Sequence, residues 1–326
     1  AWMVEPAEIL DIEGFSLKVM GNRLAFRALQ AAKAIRMLCV FPLISMLPLP
    51  LAYSIATWIG TLDSRRESLY IKGLRAGMKR CFPDLADRPD VLKQWLKEHY
   101  CMQAREMLDA YVIGRQTGRS IGRLSEISGR QYLTHAMEKG RGVIIVLSHY
   151  SRLNMLGCTL GLAGQSTGSL SQAVDRRNPF LDWVDRAYLR NKLRTYYRIT
   201  KGTGVTLEDD LRGIYRALKT NEAVVILMDA YNPRLRRFRE YPFLEGNLCL
   251  PTGIERIAGA TKAALVYGVV KENGWRVKAE IRPLPGTGAE AMAQAVRELE
   301  QDVLERPWEW WQWGYMNTMW HPMDSD

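Results

Sequence analysis

The chain has 326 residues, 47% of them hydrophobic and 25% charged, which is enough apolar material for one large core and rules out a disordered chain. Its 45 Lys and Arg against 35 Asp and Glu leave a net charge of +10, which favours an anionic partner: phospholipid, a phosphorylated substrate or an acidic carrier protein. Nucleic acid is not expected as that partner, because there is no zinc-finger spacing, no basic-region heptad and no RNP-type strand, and the arginines are scattered.

The sequence opens AWMVEPAEILDIEGF, with acidic residues where a secretory signal would be basic, so no cleavable targeting peptide is expected. From residue 8 to about 125 the pattern is helical. NRLAFRALQAAKAIRML and DVLKQWLKEHYCMQAREMLDAYVIG space apolar residues by three and four and carry few β-branched ones. Between them, Met37 to Leu62 has no charged side chain, and a spanning helix needs about 20 such residues. Pro42, Pro48 and Pro50 interrupt it, each removing a backbone donor. Two short apolar helices lying in a membrane interface are therefore expected, flanked by Lys33, Arg36, Arg65 and Arg66; the alternative is a buried helical hairpin.

After IGRLSEISGRQYLTHAMEKGRG the pattern changes. Short β-rich runs at 143–147, 167–174, 223–228, 263–270 and 275–283 alternate with the helical stretches PFLDWVDRAYLRNKLR, TLEDDLRGIYRALKT and TGIERIAGA. Apolar strands separated by helices predict an α/β fold with a mostly parallel sheet flanked by helices. The last two strands, joined by KENG, predict a hairpin at one edge. The chain thus divides into a helical, partly apolar, membrane-associating region over 1–125 and an α/β core over 126–326, without two independent folding units. Five widely spaced cysteines without a CxxC pair argue for reduced thiols.

Functional groups collect where the strands of open α/β sheets end. In VIIVLSHYSRLN the strand ends near Leu147, His149 falls in the turn, and Asn154 follows about one turn into the next helix. Asp229, at the end of the run AVVILM, is placed to share a rim with His149; the plainer role is a helix cap. No cluster of His, Cys and acidic residues has metal spacing, KGTGV lacks the phosphate-loop pattern, and no metal is expected.

Residues 141–320 resemble the lysophospholipid acyltransferase superfamily and, within it, the late acyltransferases of bacterial lipid A biosynthesis. RGVIIVLSHYSRLN matches that family's H-x4-D/E segment except at its final acid, where Asn154 stands. DDLRGIYRALKTNEAVVILMD, PFLEGNLCLPTG and RPWEWWQWGYMNTMW match further family segments in order. The resemblance implies transfer of a fatty acyl group from a thioester on acyl carrier protein or coenzyme A to a hydroxyl or amine acceptor. No cofactor is implied beyond the acyl thioester, carried on CoA or a phosphopantetheine arm. It further implies a place at the cytoplasmic face of the bacterial inner membrane.

In that family the histidine is the general base, which casts His149 in that role, Asn154 as the residue that orients it and Asp229 as support. An amide can hold an imidazole but cannot neutralise an imidazolium. That departure admits three explanations: another acid such as Asp175 or Asp229 supplies the charge, the acceptor is an amine, or the chain has diverged toward amide formation, thioester hydrolysis or non-catalytic acyl binding. Arg176 and Arg177 match the family's R-x-x-N-P segment and are expected to read a phosphate or acidic headgroup. Arg236 and Arg237, in RLRRFRE, suit an anionic lipid or carrier. Ser148 and Arg152, beside the histidine, and Glu245, in FLEGN, complete the expected substrate-binding set. The five tryptophans in PWEWWQWGYMNTMW are expected at an acyl channel or membrane interface, with plain core packing as the alternative for some of them.

Overall fold

The computed structural model describes residues 23–230, 237–286 and 288–323. Its centre is a seven-stranded sheet in the order β1-β9-β8-β2-β5-β3-β4. The strands are β1 (Ser125–Ser128), β2 (Val143–Leu147), β3 (Thr167–Ser171), β4 (Lys201–Thr206), β5 (Ala223–Leu227), β8 (Ala264–Asn273) and β9 (Arg276–Pro283). Every neighbouring pair is parallel except β8 and β9, the hairpin that KENG predicts. The expected α/β fold with a mostly parallel, helix-flanked sheet is therefore present. The hairpin, however, is not at the edge: β1 adds beyond β9, pairing Ser125 with Val277. A second, three-stranded antiparallel sheet, β10-β7-β6, comprises β6 (Phe238–Phe243), β7 (Gly246–Pro251) and β10 (Trp320–Pro322).

The central strands are buried along their length. Val143 to Val146 in β2 and Ala223 and Val224 in β5 have no exposed surface, which explains why both runs read as continuous apolar stretches. One core cluster joins Ile144, Val224 and Leu265 to Leu74 and Met78 of the N-terminal helices; the other joins Ile145 and Val225 to Phe41, Tyr53 and Leu108. The helices α2 (Leu49–Asp63), α3 (Leu69–Cys81) and α4 (Pro89–Val112) thus share their cores with the sheet, α1 (Arg23–Ile35) packs only Ala34 against the second cluster, and α5 (Arg130–Glu138) follows β1.

Pro48 and Pro50 act where the sequence expects them, whereas Pro42 lies within a helical run that continues from Arg23 to Ile44 and does not interrupt it. Pro48 caps α2 from outside with φ −53° and ψ 137°, and Pro50 sits in its first turn, so the apolar stretch is split into a short helical turn at Phe41–Ile44 and α2. Ala52, Tyr53 and Ala56 face the core, whereas Leu43, Met46, Leu51 and Trp58 are exposed. The segment is therefore packed in the core on one face, as in the buried-hairpin alternative, and leaves these four apolar side chains exposed. No helix among the described residues is long and apolar enough to cross a membrane.

Candidate active site

Strand register builds the site. β2 and β5 are adjacent and parallel, with Leu147 opposite Leu227. His149 and Asp229 each lie two residues beyond those positions, so the pairing delivers both to the same sheet edge. His149 Nδ1 is 2.8 Å from Asp229 Oδ1, and the His149 main-chain N–H donates to both carboxylate oxygens at 2.9 Å. A carboxylate at Nδ1 selects the tautomer that carries its proton there and leaves the Nε2 lone pair to receive another. Burial pushes the imidazole below its ordinary value of 6.5, and the Asp229 charge offsets only part of that shift. The shift favours the neutral, proton-accepting form of the ring.

A C-terminal segment locks this pair. Trp310 donates from Nε1 to Asp229 Oδ2 at 2.9 Å, and Gln312 donates from Nε2 to the Asp229 carbonyl at 2.7 Å. The Trp311 N–H donates to the His149 carbonyl at 2.9 Å, and the Ser151 N–H donates to the Glu309 carbonyl at 2.6 Å. Ser151 adopts φ 51°, a left-handed conformation that is unfavourable for a side-chain-bearing residue, so these bonds hold a turn that would relax alone. His99 anchors the segment from behind, its Nδ1 lying 2.8 Å from the Trp308 carbonyl. Gln312 is not an expected site residue, and Trp310 is expected only as one of five tryptophans at an acyl channel or membrane interface, not as a partner of Asp229. Nothing in their spacing points to Asp229, 81 and 83 residues away.

A cavity of about 460 Å³ reaches His149. Its walls are mostly aliphatic, including Leu153, Leu170, Leu193, Leu207, Val225, Met228, Ile254 and Ile257, with Asn154, Ser169, Gln172, Arg237 and Arg256 as polar members. Such a space accepts an alkyl chain and fixes its polar end with few groups.

The other expected residues fall in different places. Asn154 lines the cavity, but its Nδ2 donates to Glu106 Oε1 at 3.4 Å and no hydrogen bond joins it to His149 among the described residues. The ring's Nδ1 instead lies 2.8 Å from both Asp229 Oδ1 and Gln312 Nε2. Arg152 is fully buried and its donors are spent inside the protein: on Asp109 through Nε at 2.7 Å and a terminal nitrogen at 2.5 Å, and on the Trp275 carbonyl at 2.9 Å. Its guanidinium also lies over the Tyr53 ring, so Arg152 is a structural charge and is withdrawn as a substrate ligand.

Ser148 is buried, its Oγ has no hydrogen-bond partner among the described residues, and it does not line the cavity. Arg176 and Arg177 are exposed and lie outside the cavity wall; Arg177 pairs with Asp175 and Asp209, two exposed acids that do not line the cavity. Arg237 lines the cavity, and Arg236 lies outside the described residues. Glu245 is exposed at the β6–β7 turn, at the far end of the hairpin from Arg237 and Pro251, which face the cavity. None of the five tryptophans of the C-terminal segment lines the cavity: Trp310, Trp311, Trp313 and Trp320 are buried in the core, the core-packing alternative, while Trp308 is half-buried and lines two other surface hollows. The indole N–H groups of the four buried ones each find an internal acceptor.

Comparison with known proteins bears on the same region. Residues 20–314 match the family described as bacterial lipid A biosynthesis acyltransferase. A lipid A biosynthesis lauroyltransferase of Escherichia coli (strain K12) is 23% identical over 225 residues, covering 69% of each chain. A lipid A biosynthesis palmitoleoyltransferase of the same organism is 23% identical over 274 residues, 80% of this chain and 83% of its own. A lipid A biosynthesis acyltransferase of Shigella flexneri matches to the same extent.

Proposed function

The chain belongs to the bacterial lipid A biosynthesis acyltransferase family and is an acyltransferase acting on a lipid-like acceptor; on that premise we propose that His149 is the general base, drawing the acyl group from a thioester on acyl carrier protein or coenzyme A. The observation that carries this reading is one imidazole, charge-partnered by Asp229 through Nδ1, at the wall of a mainly aliphatic cavity. Nε2 takes the proton of the acceptor hydroxyl as its oxygen attacks the thioester carbonyl. The imidazolium that forms is stabilised by Asp229. The tetrahedral intermediate then collapses, the carbon–sulfur bond breaks, and the thiolate recovers the proton.

The same reading gives the apolar surface a use. Leu43, Met46, Leu51 and Trp58 are exposed on the helices and turn that precede the sheet, with Arg65 and Arg66 exposed beyond α2. Apolar side chains flanked by cations suit peripheral attachment to an anionic bilayer such as the cytoplasmic face of the inner membrane, where a lipid acceptor resides.

The test uses the full chain with lauroyl thioesters of acyl carrier protein and of coenzyme A, each carrying labelled acyl groups, and a lipid A precursor in detergent or vesicles. Label is expected to move to the lipid, with the two donors separated by their kcat/KM. Label released as free fatty acid would point instead to hydrolysis, and label retained by the protein without turnover to a binding role.

A further inference from the structure

We propose that Asn154 donates a hydrogen bond to the carbonyl oxygen of the acyl thioester, and that Glu106 and Lys192 hold its amide in place to do so. This rests on the acyl-transfer reading above and assigns position 154 a task other than orienting the histidine.

The geometry begins beneath the cavity wall. Glu106 on α4 and Lys192 on α7 (Trp183–Thr200) form a buried ion pair. Asn154 is the first residue of α6 (Asn154–Leu162), and its amide lies 3.4 Å from Glu106 Oε1. Gly157 lets α6 come this close to α7, since a Cβ there would meet Tyr196 Oη at 2.3 Å. A carboxylate has no hydrogen to give, so the atom facing it is the amide nitrogen. The Asn154 side chain makes no other hydrogen bond among the described residues, and it shares the cavity wall with His149. One Nδ2 hydrogen thus faces Glu106 in a long contact, and no partner for the second is present among the described residues.

Charge explains why an asparagine stands here. His149 already has its carboxylate in Asp229, so no second acid is needed to stabilise the imidazolium. An aspartate at 154 would set a carboxylate against Glu106, and two such groups that close resist ionising together. An amide avoids that conflict and, unlike a carboxylate, can stabilise an anion. When the acceptor oxygen attacks and His149 takes its proton, the carbonyl electron pair moves onto oxygen. Nδ2–H of Asn154 and the positive end of α6 then favour that charge. As the carbon–sulfur bond breaks, the pair returns to the carbonyl and the proton passes to the departing sulfur.

The experiment measures steady-state kcat and KM with lauroyl-carrier protein, lauroyl-CoA and a lipid A precursor for the wild type and for Asn154→Asp, Asn154→Ala and Glu106→Gln, alongside their melting temperatures. Loss of one oxyanion donor costs about 10²–10³ in kcat, so Asn154→Ala is expected to fall by that factor with little change in KM. Asn154→Asp should fall at least as far, because its carboxylate opposes the developing charge. Glu106→Gln should lose roughly tenfold in kcat at similar KM, the scale of one charge-assisted hydrogen bond. An Asn154→Asp variant as fast as wild type, or faster, overturns the proposal and returns position 154 to orienting the imidazole. If that variant does not fold, Asn154→Ala decides: an unchanged kcat overturns the proposal equally. A wild type that transfers from neither thioester overturns the acyl-transfer reading itself, an outcome distinct from an active wild type whose Asn154 variants are unimpaired.

Discussion

Asp229→Asn is expected to lower kcat for acyl transfer by roughly 10³–10⁴-fold with a small change in KM, since the same replacement in a serine-protease triad costs about 10⁴. The reason lies in what Asp229 accepts. It takes hydrogen bonds from the His149 main-chain N–H and from Trp310 Nε1, and it lies against His149 Nδ1. An amide placed there has one acceptor atom for these donors and can turn its NH₂ toward the ring. The imidazole then adopts the tautomer with its proton on Nε2, the nitrogen that must be free, and the imidazolium loses its counter-charge. Steady-state kinetics on a variant shown by circular dichroism to be folded would measure this. A loss below tenfold would mean that another group supplies the charge.

Arg152→Ala is expected to destabilise the protein by about 3–5 kcal/mol, the usual cost of removing one partner from a buried ion pair. Arg152 has no exposed surface, bonds Asp109 through two nitrogens and lies 3.8 Å from Glu272, which in turn is paired with Arg105. Three charged residues of this network and its neighbour, Arg105, Glu106 and Asp109, come from α4 and are buried with it. Removing the guanidinium leaves Asp109 facing the phenol of Tyr53 with its cation gone. Urea unfolding of wild type and variant checks the value. A variant of unchanged stability but raised KM would restore Arg152 as a substrate ligand.

The contrast between Arg152 and His149 shows which features the sequence displays. Strands β2 and β5 are apolar at every position because both faces are covered, so VIIVL and AVVIL are readable without a partner. Once two such strands are parallel neighbours, residues just past their ends meet, and the proximity of His149 and Asp229 follows from local patterns. Arg152 lies three residues from His149, and nothing local distinguishes an arginine that reaches a ligand from one that reaches Asp109 on α4. Burial of that kind depends on helices far apart in sequence.

The same limit explains β4, β6 and β7. KGTGVT is half exposed at the sheet edge and carries little apolar periodicity, while FREYPF and GNLCLP pair with each other and with β10, outside the main sheet. The C-terminal segment is the plainest case. Its tryptophan content is conspicuous and suggests a lipid contact, yet the indole groups serve as donors to internal acceptors, one of them Asp229.

The most direct test of the His149 assignment is the pH dependence of kcat/KM between pH 4 and 8 for the wild type and for His149→Gln, with lauroyl-carrier protein as donor. Burial holds the imidazole below 6.5, so the neutral, proton-accepting ring persists into mildly acidic solution. The wild-type rate is expected to fall tenfold per pH unit only below an apparent pKa under 6.5, and His149→Gln to show a flat profile at least about a thousandfold lower. A His149→Gln variant that retains the wild-type rate, or the same acidic limb, would contradict the assignment of His149 as the base.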